Sequence, residues 1–147
     1  MERTAVEMVM NASPESCFGV ATDFEHYPEW LPEVQQVVVL ERDTLGRPCV
    51  VAFEVGAFGR SASYILVYDF AEAPHAFSWS QREGDITYAL DGAYRFDAAE
   101  EHATTVHYEL SVGLRIPVPG FVRRRAEGLI IDAALRDLKT RVESLSS

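Results

Sequence analysis

Apolar and polar residues alternate along most of this chain, and the places where the alternation stops divide it into elements. Residues 2–10 are β-compatible. Ser13 as a cap and Pro14 at the first helical position then predict a helix from Pro14 to about Thr22, after a strand ending near Met10. Asp23 is placed to cap a second short helix through the aromatic stretch that follows, and Pro28 and Pro32 limit its length. Strands are predicted over Val34–Leu40 and, after a turn at Asp43 to Pro48, over Val50–Val55. Ser61–Phe70, a short strand holding Phe77 and Trp79, Ile86–Phe96 and Val106–Leu114 complete the β region. Tyr64, Leu66, Tyr68 and Phe70 share one parity, as do Tyr88, Leu90, Gly92, Tyr94 and Phe96, and again Val106, Tyr108, Leu110 and Val112. The opposite parity carries Asp91, Arg95, His107, Glu109 and Arg115, which describes an antiparallel sheet with one wet face.

After Pro119 and Gly120 the period changes. Val122, Ala126, Leu129, Ile130, Ala133, Leu138, Val142 and Leu145 recur at threes and fours, predicting an amphipathic helix of about 25 residues, on the order of 38 Å long. Arg123, Arg124, Glu127, Asp132, Arg136, Asp137, Lys139, Arg141 and Glu143 fall on its polar side. The order is one strand, two short helices, six strands and a long helix. An apolar sheet face must be covered, and only the last helix is long enough to cover it. The expectation is an α+β fold: one domain over residues 1–147, with a strongly curved antiparallel sheet of about seven strands wrapped around the C-terminal helix.

Composition sharpens the function classes. With 147 residues, 48% hydrophobic and 24% charged, the chain carries enough apolar material for a folded core. A net charge of −10 repels nucleic-acid phosphates, and the only dense basic cluster is Arg123, Arg124 and Arg125, so nucleic acid is not an expected partner. Cys17 and Cys49 stand apart with no CxxC spacing, and His26, His75, His102 and His107 form no metal-binding motif. Neither a GxSxG nor a phosphate-binding glycine loop is present, so no metal or cofactor is expected. No segment has the pattern of a signal peptide or the length of a membrane span, which points to the cytoplasm. Nothing in the sequence sets the oligomeric state.

Three stretches occur in a telling order: Phe24-Glu25-His26-Tyr27-Pro28-Glu29-Trp30-Leu31-Pro32; Gly84-Asp85-Ile86 leading to Asp91-Gly92-Ala93-Tyr94-Arg95-Phe96; and Thr104-Thr105-Val106-His107-Tyr108-Glu109-Leu110 before Pro117 and the long helix. In that order, with Ser13-Pro14 after the first strand, the chain resembles the START-like (SRPBCC) superfamily over nearly its whole length. More narrowly it resembles the polyketide cyclase/dehydrase and coenzyme Q-binding-protein branch. The resemblance implies a helix-grip fold whose sheet and C-terminal helix enclose a deep apolar pocket for a lipid, isoprenoid quinone or polyketide-like molecule.

On that basis the expected ligand-binding residues are Trp30, Phe53, Tyr64, Trp79, Tyr88, Tyr94, Tyr108 and Leu110, with Val122, Ala126, Leu129, Ile130 and Ala133 from the helix. A buried phenol needs a partner, so repeated tyrosines on an inward parity point to a cavity holding water or a polar ligand group. Ala126, Gly128, Ala133 and Ala134 are small where a filled core prefers leucine, which leaves volume. Trp30, beside Tyr27 and Leu31, is placed as wall or lid, and the Gly56 to Gly59 and Pro117 to Phe121 connections as gates. The strand charges Glu54, Arg82, Arg95, Glu109 and Arg115 read mostly as outward. No catalytic motif of the family's aromatases and cyclases maps onto the chain, so the expected function is ligand binding. The alternative is a polyketide cyclase, aromatase or dehydratase acting in the same cavity.

Overall fold

Ser13 and Pro14 act as their chemistry predicts. In the computed structural model, which describes residues 3–57 and 59–146, the Ser13 hydroxyl accepts a hydrogen bond from the Ser16 amide at 3.1 Å and starts helix α1 (Pro14–Ala21). Strand β1 (Thr4–Met10) precedes it and a 3-10 turn (Phe24–Glu29) follows. Asp23 stands at the head of that turn without capping it, because its carboxylate meets His26 Nδ1 at 2.8 Å instead. Then come β2 (Val34–Arg42), β3 (Pro48–Ala57), β4 (Arg60–Asp69), β5 (Ala76–Gly84), β6 (Thr87–Ala98), β7 (Thr104–Leu114) and α2 (Gly120–Ser146).

The seven strands form one sheet in the order β1-β7-β6-β5-β4-β3-β2, every pair antiparallel. The chain therefore meanders from β2 to β7, and β1 pairs at the far edge with the last strand. Register breaks in the β2–β3 pair, in β4–β5 next to Leu66 and in β6–β7 around Tyr88. Such bulges add local twist and coil a sheet. The curved sheet grips α2, as expected of a helix-grip α+β fold.

Two hydrogen bonds fix how far α2 slides along its edge strand. Thr4 Oγ1 donates to Glu127 at 2.7 Å at the start of β1, and the Asn11 amide donates to Glu143 at 2.9 Å just past its end. Seven strand residues at ~3.3 Å span about 23 Å, and sixteen helical residues at 1.5 Å span about 24 Å, so the two ties are commensurate. Between them Ile131, Leu135, Leu138 and Val142 are 0% exposed. They face an apolar core in which Phe18 meets Phe77 and Phe96 edge-on, both at 5.9 Å.

This placement corrects the expected facing of the helix. Glu127, read from the sequence as polar-side, is 1% exposed, and its other oxygen accepts the Val112 amide at 2.7 Å. Leu129 and Ile130, read as the sheet-facing apolar stripe that lines the pocket, are exposed. A spacing of threes and fours fits both stripes, and the carboxylate ties to β1 and β7 choose between them. Beyond Glu127 the first turns of α2 run on for about 10 Å.

Candidate functional site

Where α2 does not press on the sheet, a chamber of about 380 Å³ remains. Each strand from β3 to β7 contributes through its inward parity: Phe53 and Val55, Tyr64 with Leu66 and Tyr68, Phe77 and Trp79, Leu90 and Tyr94, Tyr108 and Leu110. Leu129, Ile130, Ala133 and Ala134 supply the helical wall, and Tyr27, Leu31, Glu33 and Val34 close the end next to the 3-10 turn. The volume lies toward the lower end of the range for small-molecule sites, so the chamber fits one compact guest.

A missing side chain positions the indole of Trp79. It pairs across the ladder with Gly92, where a Cβ would stand 2.4 Å from the ring. The glycine lets the indole lie flat on β6, between Tyr68 at 5.9 Å and Tyr94 at 5.8 Å. Tyr94 and Tyr108 meet edge-to-face at 4.4 Å.

The phenols divide into two kinds. Tyr27 donates its hydroxyl to the Ala21 carbonyl and is structurally committed. Among the described residues, no protein group hydrogen-bonds the hydroxyls of Tyr64, Tyr68, Tyr94 or Tyr108, although all four side chains line the chamber. Burial pushes all four phenols above the ordinary tyrosine value of 10.0. Neighbouring phenols add to this at Tyr68, Tyr94 and Tyr108, and the Glu33 carboxylate adds to it at Tyr64 and, more weakly than the Tyr64 phenol, at Tyr108. Each therefore stays a protonated donor at any physiological pH.

Among the described residues, Glu33 is the one charged residue in the chamber wall, which holds no lysine, arginine or histidine. It sits between Pro32 and Val34, where the chain leaves the 3-10 turn and enters β2. Sequence reasoning missed it, since a single carboxylate in a connecting segment gives no periodic signal. Tyr27, Leu31, Val34, Val55, Gly56, Leu66, Tyr68, Phe77, Leu90 and Ala134 also line the chamber without having been singled out as ligand-binding.

Of the expected ligand-binding residues, Phe53, Tyr64, Trp79, Tyr94, Tyr108, Leu110, Leu129, Ile130 and Ala133 lie in the wall. Four do not. Tyr88 is the extra residue of the β6–β7 bulge, which turns its ring out of the strand's inward parity. The ring covers Gly113, where a Cβ would stand 2.4 Å away, and the residue is 58% exposed. Trp30 packs edge-on against Tyr27 at 5.1 Å, one layer behind the wall. Val122 is exposed on the first turn of α2. Ala126 lines a smaller hollow of about 80 Å³ whose wall shares Tyr64, Leu90 and Ile130 with the chamber and ends at Arg123. Of the Gly56 to Gly59 connection, Phe58 lies outside the described residues.

The strand charges face away from the chamber. Glu109 pairs with Arg3 at 2.7 Å, Arg95 with Asp97 at 3.0 Å and Arg82 with Glu41 at 3.5 Å, while Arg115 donates to the Gly84 carbonyl at 2.9 Å. A depression of about 500 Å³ on the outer sheet face, edged by Glu54, Glu83 and Asp85, already spends Asp85 on the Ser63 amide at 3.0 Å. Among the described residues no cluster of three or more histidine, cysteine, aspartate or glutamate side chains is disposed to hold a metal ion, and no helix is long and apolar enough to cross a membrane.

A curved seven-stranded sheet closed on a long helix, with an apolar chamber between them, defines the START-like class. The chain belongs to the family described as polyketide cyclase/dehydrase and lipid transport, whose match spans residues 1–143. Among solved structures it is similar to a START superfamily protein from Mycobacterium smegmatis, with 25% identity, a TM-score of 0.92 and coverage of 97% of this chain and 98% of that one. It is similar in fold to the Zhui aromatase/cyclase from Streptomyces sp. R1128, with 17% identity, a TM-score of 0.83 and coverage of 99% and 96%. A protein from Thermus thermophilus superposes with a TM-score of 0.81 at 23% identity, covering 99% of this chain and 100% of that one. A search of curated proteins gives no match.

Proposed function

We propose that this protein binds one compact, uncharged, oxygen-bearing hydrophobic molecule, of isoprenoid-quinone or polyketide-like chemistry, in the chamber between the sheet and the first half of α2. The observation that carries this reading is the set of phenol hydroxyls, those of Tyr64, Tyr68, Tyr94 and Tyr108, that face a largely apolar space with no protein acceptor. A donor that faces a mostly apolar space with no protein acceptor is poorly satisfied, and a guest carbonyl oxygen is an acceptor that would pair with it. Apolar burial supplies the drive, at roughly 25 cal/mol per Å².

Glu33 sets the charge preference. Its carboxylate is solvent-exposed at the chamber's edge and has no ion-pair partner among the described residues, so it disfavours fatty acids and other anionic amphiphiles and leaves neutral ketones and quinones favoured. Titrating the protein with a naphthoquinone while following tryptophan fluorescence tests this. We expect saturable quenching, weakened roughly three- to tenfold by Tyr108→Phe, as one lost hydrogen bond dictates. Oleate is expected to compete poorly, and better against Glu33→Gln. Naphthoquinone binding that is absent, or oleate binding that exceeds it in the parent protein, would refute the reading.

A second reading rests on the same carboxylate. Glu33 next to protonated phenols is a base beside acids, the pairing a cyclase or dehydratase uses to enolise one carbonyl while polarising another. Under that reading a poly-β-ketone mimic turns over, and Glu33→Gln abolishes turnover while retaining binding.

A further inference from the structure

The first turns of α2 and the segment leading to them differ from the rest of the surface in two respects at once. The first is charge: residues 115–126 hold Arg115, Arg123, Arg124 and Arg125 and no acidic residue, in a chain with 13 basic and 23 acidic side chains. Among the described residues none of these four forms an ion pair, whereas eight other lysine and arginine side chains each hold a carboxylate. The second is apolar exposure. Ile116, Val118, Phe121, Val122, Leu129 and Ile130 are all exposed, with Ile116 at 71%, Phe121 at 67% and Leu129 at 65%, whereas the exposed large hydrophobics elsewhere are scattered. A concentrated apolar patch rimmed by charge of one sign marks an interaction surface.

From this juxtaposition we infer that the α2 N-terminal end is a docking surface for an anionic lipid bilayer. Phe121, Ile116 and Leu129 have the bulk to enter the boundary between headgroups and acyl chains, and the arginines beside them reach lipid phosphates while their aliphatic stems stay against the apolar layer. Exposed aliphatic side chains gain nothing on a nucleic-acid backbone, so the patch favours lipid over nucleic acid. Charge also sets the orientation. An acidic protein is repelled from an anionic leaflet everywhere except at this end, and at this end Leu129 and Ile130 form part of the chamber wall. A docked protein thus presents its chamber to the bilayer. The inference does not depend on which molecule fills the chamber.

Co-sedimentation with phosphatidylcholine vesicles, with and without phosphatidylglycerol, tests it at about 0.1 M salt, where exposed charges still act over about 10 Å. The protein is expected to pellet with the anionic vesicles, to stay soluble with the neutral ones, and to be released at about 1 M salt. At roughly fivefold per arginine, Arg124→Glu together with Arg125→Glu should weaken binding about 20-fold or more. Phe121→Ser should weaken it with the salt dependence unchanged. None of these three side chains lines the chamber, so quinone quenching in solution and the thermal melt should match the parent, which keeps failure of docking distinct from failure of the chamber reading or of folding. Equal binding to both vesicle types, a double variant that pellets like the parent, or binding to duplex DNA with none to vesicles would overturn the inference.

Discussion

The two halves of α2 belong to one continuous helix but have opposite relations to the sheet. From Ile131 to Val142 the helix buries Ile131, Leu135, Leu138 and Val142 completely, and Arg141 and Glu143 fasten it to Glu29 and the Asn11 amide. From Gly120 to Ile130 its large apolar side chains are exposed, and the one buried group is the Glu127 carboxylate. The first half keeps β1 and β7 at a fixed distance through polar ties while Leu129 and Ile130 line a hollow; the second half seals the core by packing, apart from Ala133 and Ala134, which complete the hollow's helical wall. A chamber survives in this fold because the element that could fill it is held in place by hydrogen bonds instead of by contact.

That contrast can be broken directly. Leu135→Ala removes a fully buried side chain from the sealed half and should cost about 2–5 kcal/mol in denaturant or thermal unfolding, while Leu129→Ala in the open half should cost under about 0.5 kcal/mol. Equal losses would mean that both halves are core. Glu127→Ala comes next. It leaves the Val112 amide buried without an acceptor, for a loss of about 1–3 kcal/mol. Glu127→Gln keeps one acceptor oxygen and should lose less, and if it were as damaging as alanine, charge instead of geometry would be the tie.

Much of this fold was legible in the sequence because the strands obey one rule, alternation, and the sheet forces that rule on every residue it pairs. The meander and the inward positions of Tyr64, Tyr94 and Tyr108 follow from it, while the Ser13-Pro14 start follows from capping chemistry. The misplacements have physical causes. A single extra residue at Tyr88 shifts parity, and no periodicity announces a bulge. The facing of α2 was ambiguous because Ala126–Leu129–Ala133 and Glu127–Ile131–Leu135 both repeat at helical spacing, and the choice depends on Thr4 and Val112, which lie remote in sequence. Glu33 escaped because an isolated carboxylate in a connecting segment carries no pattern of its own.

A third test sharpens the contrast at the chamber itself. Ala133→Trp places an indole in the helical wall and should abolish quinone uptake with little change in unfolding, since Ala133 is exposed. Ala126→Leu fills only the side hollow and should leave uptake largely intact. Loss of uptake in both variants would mean that chamber and hollow are one space.

The smallest effect is expected at the far end of the sealed half. Lys139 and the Asn11 amide both donate to Glu143, and together they hold its carboxyl below its ordinary value of 4.5. A depressed folded-state value stabilises the protein above about pH 4.5, and that contribution disappears as acid protonates the group through its lowered value. Glu143→Gln should therefore lower stability slightly at neutral pH and flatten the acid limb of the stability curve below pH 4.5. If the parent and Glu143→Gln lost stability in parallel as the pH fell, the Asn11 tie would not be holding the end of the helix, and apolar packing alone would account for the sealed half.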